Sequence, residues 1–156
     1  MIPDWFVIGT VAFSVAALLN RFNKNLRWFN RLRRPRWLTF EGAIPWIWIT
    51  IFICGSISAI LTWRVAPNQG EIWLLMGGYL LLEVAIMAYT PVMCQLRSLR
   101  VGTAIGATGF FIGLILAYFV FQVSETAGAF LVPFLLWSPI GTYVTWAMIE
   151  LNPREA

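Results

Sequence analysis

Long apolar runs alternate with short polar breaks along this chain. Five runs stand out, at 5–20, 43–63, 72–94, 101–123 and 127–149. At 1.5 Å rise per residue, a helix needs about 20 residues to cross about 30 Å of hydrocarbon. Four runs reach that length, and the first does so only if Met1–Asp4 or Asn20 extends it. The period-two alternation of a membrane barrel is absent. The first run is a poor signal peptide, because its basic residues follow the apolar stretch instead of preceding it. The pattern predicts an all-α membrane protein: one domain over 1–156, a bundle of five transmembrane helices with a long first loop.

Composition sharpens this. Of 156 residues, 60% are hydrophobic and 12% charged, with nine Trp, twelve Phe and no His. Soluble domains carry about 25% charged residues, so an ordinary water-soluble enzyme is excluded. Imidazole-based catalysis and histidine-ligated haem or zinc are excluded with it. No Ser or Cys sits beside a candidate base, and the glycines fall within helical runs, so no catalytic constellation is visible and no enzyme is expected. Cys54 and Cys94 fall at depths about 15 Å or more apart, too far for a disulfide, and no spacing suggests a metal.

Charge orients the bundle. Seven cations (Arg21, Lys24, Arg27, Arg31, Arg33, Arg34 and Arg36) occupy the first loop, Arg97 and Arg100 the third, and Arg154 the tail. Only Arg64 lies on the other side. The positive-inside rule then places the N-terminus outside and the first loop and C-terminus in the cytoplasm. Beside a membrane helix, this basic run reads as topology plus attraction to anionic lipid headgroups, not as a nucleic-acid surface. The expected setting is a bacterial inner membrane or an equivalent organellar membrane.

Within the loop, Leu26–Leu32 can form a short amphipathic helix ending before Pro35. It serves either as an interfacial anchor, with Trp28 and Trp37 at headgroup level, or as a lid over a cavity in the bundle. Two other features bear on function. Glu83 falls at the centre of the third run, with no cation at its depth. An acid there costs several kcal/mol unless neutral, paired or facing a wet cavity. A neutral Glu83 is expected, bonded to Ser138, Ser56 or a carbonyl freed by Pro139, acting as interhelical glue or as a proton or ligand contact. Gly102, Gly106, Gly109, Gly113 and Ala117 form one small-residue stripe, suited to packing inside the bundle or to a homodimer face.

The loop also carries a resemblance. Leu26-Arg27-Trp28-Phe29, then Leu32, Pro35-Arg36-Trp37 and Trp48, resembles the first-loop and second-helix signature of the TspO family. Its members are also known as tryptophan-rich sensory proteins, translocator proteins or peripheral-type benzodiazepine receptors. Ala88-Tyr89-Thr90-Pro91 resembles the family's third-helix motif, and Pro133-Phe134 with Trp137 and Asn152 its fifth-helix pattern. The match spans the chain, with departures: Thr39-Phe40 replaces a Pro-Pro pair, Ile86 an Asn, and Tyr89 and Val101 two Trp. Tyr143 has no basic neighbour for a sterol-recognition pattern. The resemblance implies a ligand pocket lined by Trp28, Pro35, Trp37, Trp48, Tyr89 and Trp137. It also implies a hydrophobic planar ligand, a tetrapyrrole such as a porphyrin or a lipid, with a regulatory, transport or stress-signalling role. The alternative is a structural or assembly subunit with a decayed pocket, docked on a larger membrane complex. A cavity filled by Ile86 and Tyr89 would favour that alternative.

Overall fold

The computed structural model of the chain describes residues 3–22, 25–66 and 68–155, which are helical with no strand among them. Helix α1 (Asp4–Asn20) is followed by α2 (Leu26–Arg31) in the first loop, then α3 (Ile44–Val65), α4 (Gln69–Leu96) and α5 (Leu99–Val123). The last apolar run is divided between α6 (Glu125–Ala129) and α7 (Val132–Leu151). Four spans, the last formed by α6 and α7 together, are long and apolar enough to cross a membrane; α1, at 17 residues, is shorter. This is an integral membrane protein.

Local chemistry sets most boundaries. Asn68 Oδ1 accepts from the Glu71 N–H at the start of α4 (2.9 Å), and Ser124 Oγ from the Ala127 N–H at the start of α6 (3.2 Å). Each side chain satisfies a donor that the first helical turn leaves unbonded. Pro45 and Pro133 stand in the first turns of α3 and α7, where a missing N–H costs nothing. The α6–α7 break at Phe130–Leu131 divides the run that the hydropathy pattern reads as continuous from 127 to 149. It sits just before Pro133, whose ring admits no partner for the carbonyl one turn back.

Helix α5 is the centre of the bundle, packed along both α4 and α7. Its small-residue stripe makes this possible. A Cβ at Gly102 would collide with Met93, one at Gly106 with the Thr142 hydroxyl, and one at Gly113 with the Phe134 ring. The stripe is therefore filled from within the chain. Apolar side chains form two clusters. One, around Leu82, Leu116, Val120 and Phe134, fills the middle and one end; the other joins Leu38 of the first loop to Met93, Leu99 and Met148.

A buried hydroxyl chain ties the end of the bundle away from the first loop. Thr62 bonds the Tyr79 hydroxyl (3.1 Å), Tyr79 bonds Ser58 (2.6 Å), and Ser58 donates to the Ala127 carbonyl (2.7 Å). Polar atoms from three helices, α3, α4 and α6, would be costly here unpaired, and none of these is. Helix α1 stands at the periphery, with no buried residue, against α3 and α4. Its Asp4 accepts two hydrogen bonds from the Arg64 guanidinium, at 2.5 and 3.0 Å. Arg64 thus lies at one end, while the first-loop arginines, Arg97, Arg100 and Arg154 lie at the other. Lys24 is outside the described residues.

Candidate functional site

Beneath the first loop, α3, α4, α5 and α7 enclose a cavity of about 580 Å³. Its wall is mainly apolar and aromatic, with Trp48 and Phe52 from α3, Ile86 and Tyr89 from α4, and Phe134 and Trp137 from α7. Two helical prolines stand close to it. Pro91 lines the cavity, and Pro139 follows the lining residue Ser138. Most polar groups on the wall are satisfied within the protein. The Tyr89 hydroxyl bonds Thr145 Oγ1, and Thr142 donates to the Ser138 carbonyl (2.9 Å). Trp137 carries the fully buried exception among the described residues. Its indole N–H is buried with no hydrogen-bond partner among the described residues. A buried donor left unmet costs about 1–3 kcal/mol, so this N–H favours an acceptor entering the cavity.

The first loop covers the mouth of this cavity, and Arg34 folds it. The Arg34 guanidinium donates to the carbonyls of Phe29 (2.9 Å) and Leu32 (3.1 Å), pairs with Glu41 (3.0 Å) and lies 4.4 Å above the Phe29 ring. Arg34 and Glu41 both line the cavity, with their charges spent on each other. The loop is also held from the far end of the chain. Asn152 accepts from the Arg33 N–H (2.9 Å) and donates to the Arg33 and Met148 carbonyls (3.0 and 2.9 Å). Trp28 donates its indole N–H to Glu155 (2.6 Å).

This architecture carries a sequence match. The model of the TspO/MBR family matches residues 6–151. The chain belongs to the TspO/MBR family. It is 24% identical over 155 residues to the tryptophan-rich sensory protein of Cereibacter sphaeroides, covering 96% of this chain and 93% of that one. It is 26% identical over 149 residues to the uncharacterized membrane protein YtaB of Bacillus subtilis (94% and 93% covered). It is 25% identical over 141 residues to the tryptophan-rich protein TspO of Bacillus cereus (90% and 89% covered).

For this TspO/MBR chain, three of the six expected pocket residues, Trp48, Tyr89 and Trp137, share the cavity wall. The other three do not reach it. Trp28 is turned towards the C-terminal tail by its bond to Glu155. Pro35 is buried inside the loop, and Trp37 is exposed, stacked on Tyr143 with ring centroids 5.7 Å apart. All three shape the lid. Arg34 and Leu38 also line the cavity, although the sequence pattern does not mark either. Arg34 is one of seven loop cations and nothing local distinguishes it; its signal is the partner Glu41, the sole acid nearby.

Glu83 is not part of this cavity. It lies half-buried on the wall of a second one, of about 360 Å³, between α1, α3, α4 and the α6–α7 turn. None of the expected partners reaches it. Ser138 lines the first cavity, and the Ser56 hydroxyl donates back to the Phe52 carbonyl (2.9 Å). Glu83 makes no hydrogen bond or ion pair among the described residues. Cys54 and Cys94 are both free thiols, and no three His, Cys, Asp or Glu side chains gather into a metal-binding group among the described residues.

Proposed function

We propose that this TspO/MBR protein binds a planar hydrophobic ligand of the tetrapyrrole class in the cavity beneath its first loop and acts in membrane sensing or regulation. One observation carries the reading: the cavity is open. Ile86 and Tyr89, which replace the Asn and Trp of the family pattern, stand on its wall without filling it. A volume of about 580 Å³ falls within the range of small-molecule sites, commonly about 300–1,000 Å³. Trp48, Tyr89 and Trp137 offer broad aromatic faces for stacking. The unpartnered Trp137 N–H offers a donor to a ligand carbonyl or carboxylate. The name of one relative, the tryptophan-rich sensory protein of Cereibacter sphaeroides, supports a sensory role.

The rest of the reading follows. The protein is a single five-helix transmembrane domain over 1–156, N-terminus outside, in a bacterial inner membrane or its organellar equivalent. Binding, not catalysis, is its activity. An assembly subunit with a decayed pocket fits less well, because that reading needs a filled cavity. The test is tryptophan-fluorescence titration of the purified protein with a panel of porphyrins. Saturable quenching, weakened in both Trp48→Ala and Trp137→Phe, is the expected result. No saturable quenching by any porphyrin would leave the assembly reading in its place.

A further inference from the structure

The two cavities share a partition of Phe52, Ile86 and Phe134, which line both, yet their polar chemistry is opposite. The first presents an unpartnered donor, the Trp137 N–H. The second presents an acceptor without a donor, the Glu83 carboxyl. Val7, Ile8 and Val11 of α1 close one side of this second chamber, and Gly55 and Ser56 of α3 another. Among the described residues, no Lys or Arg lines it and Glu83 is the one carboxyl that does. Its hydroxyls are committed elsewhere, Ser56 to the Phe52 carbonyl and Tyr79 to Ser58 and Thr62. Trp63 and Trp73, edge to face with centroids 5.5 Å apart, add an aromatic wall.

We infer that this second cavity is a separate binding site for a lipophilic amine, whose nitrogen bonds to Glu83 while its apolar body fills the space between α1, α3 and α4. Charge complementarity selects the class. An acidic ligand would set two carboxyls together in an apolar chamber. A pure hydrocarbon would cover the half-buried Glu83 without giving it a hydrogen-bond partner. An amine supplies the missing N–H, whether the shared proton rests on nitrogen or on the carboxyl, and charge-assisted bonds of this kind are the strong ones. The surrounding wall suits a compact ring system. Gly55 has open space around its Cβ position, with nothing within 4 Å, so the chamber is not closed by backbone contact there.

The probe is 9-anthracenemethylamine, compared with 9-anthracenemethanol, on the protein in lipid nanodiscs, read as saturable energy transfer from tryptophan. The expected result is an amine affinity at least about tenfold above the alcohol's, the size of one charge-assisted hydrogen bond. Glu83→Gln should erase that preference, and Gly55→Leu, which fills the chamber, should abolish saturable amine binding. Trp137→Phe, which alters only the first cavity, should leave the preference in place. Should Glu83→Gln fail to fold, Gly55→Leu decides alone. Equal affinities in the native protein, a preference that survives Glu83→Gln, or amine binding that survives Gly55→Leu would overturn the inference. None of these results bears on porphyrin binding in the first cavity, which is titrated separately.

Discussion

Phe40, near the end of the first loop, sets its ring at 69° to the indole of Trp137 on α7, with centroids 6.3 Å apart. A loop residue thus packs against the indole that carries the buried donor, joining the lid directly to the wall. Lid and cavity are one unit in this protein, and the family pattern has proline at this point of the loop.

Phe40→Ala should loosen the lid without unfolding the bundle, because Phe40 is 37% exposed and lies in the loop, outside the buried core. An aromatic pair contributes about 0.5–1.5 kcal/mol, so porphyrin dissociation should quicken by about two- to tenfold. Stopped-flow displacement measures the rate; an unaltered rate would mean that the loop does not govern ligand exit.

Asn152→Ala removes two hydrogen bonds to the Arg33 backbone and one to the Met148 carbonyl, which together hold the loop against the end of α7. Each such bond is worth about 0.5–1.5 kcal/mol net, and the effect should be local to the loop. Limited trypsin digestion reads it, since the loop is rich in arginine. Faster cleavage at Arg31, Arg33 and Arg34, with unchanged helical content, is the expected pattern.

The glycines of α5 and α3 should respond in opposite ways. Gly113→Ala forces a methyl into the Phe134 ring and should cost about 1–3 kcal/mol of stability, the range for overpacked cores. Gly55→Ala meets nothing within 4 Å and should be neutral or slightly stabilising. Thermal unfolding of both variants in one detergent makes the comparison.

Much of the fold can be read from the chain because helix-length apolar runs are a local signal. Helices α3, α4 and α5 lie close to the runs that predict them. Rotation about each helix axis is another matter. A helix apolar all round carries no stripe to say which face is inside. On α3, Trp46 is 70% exposed while Trp48, two residues on, lines the cavity. Only the family resemblance separates them. The lid is less legible still. Trp28 and Glu155 are 127 positions apart, and Arg33 and Asn152 are 119 apart, so no window along the sequence contains either pair. Glu83 shows a different limit. Its depth is read by counting along the helix, but its missing partner depends on where neighbouring hydroxyls already bond.

The proposed N-outside, C-inside orientation rests on the split of cations along the sequence, Arg64 alone against the ten of the first loop, third loop and tail. A cysteine at position 156, with Cys54 and Cys94 replaced by Ala, should react with an impermeant thiol reagent only from the cytoplasmic side. Labelling from the outer face would reverse the topology.

If the cavity under the loop is the ligand site, filling it should expel the ligand. Gly141 lines that cavity, and its nearest neighbour at the Cβ position is the Trp137 indole nitrogen, 3.9 Å away. Gly141→Leu therefore puts a side chain beside the unpartnered N–H without a clash at Cβ. The measurement is the dissociation constant of protoporphyrin IX for the native protein and for Gly141→Leu, each checked for helical content by circular dichroism. Affinity should be at least about tenfold weaker in the variant, equivalent to losing about 1.4 kcal/mol of contact, with the helical content unchanged. Equal affinities in two well-folded proteins would contradict this placement of the ligand.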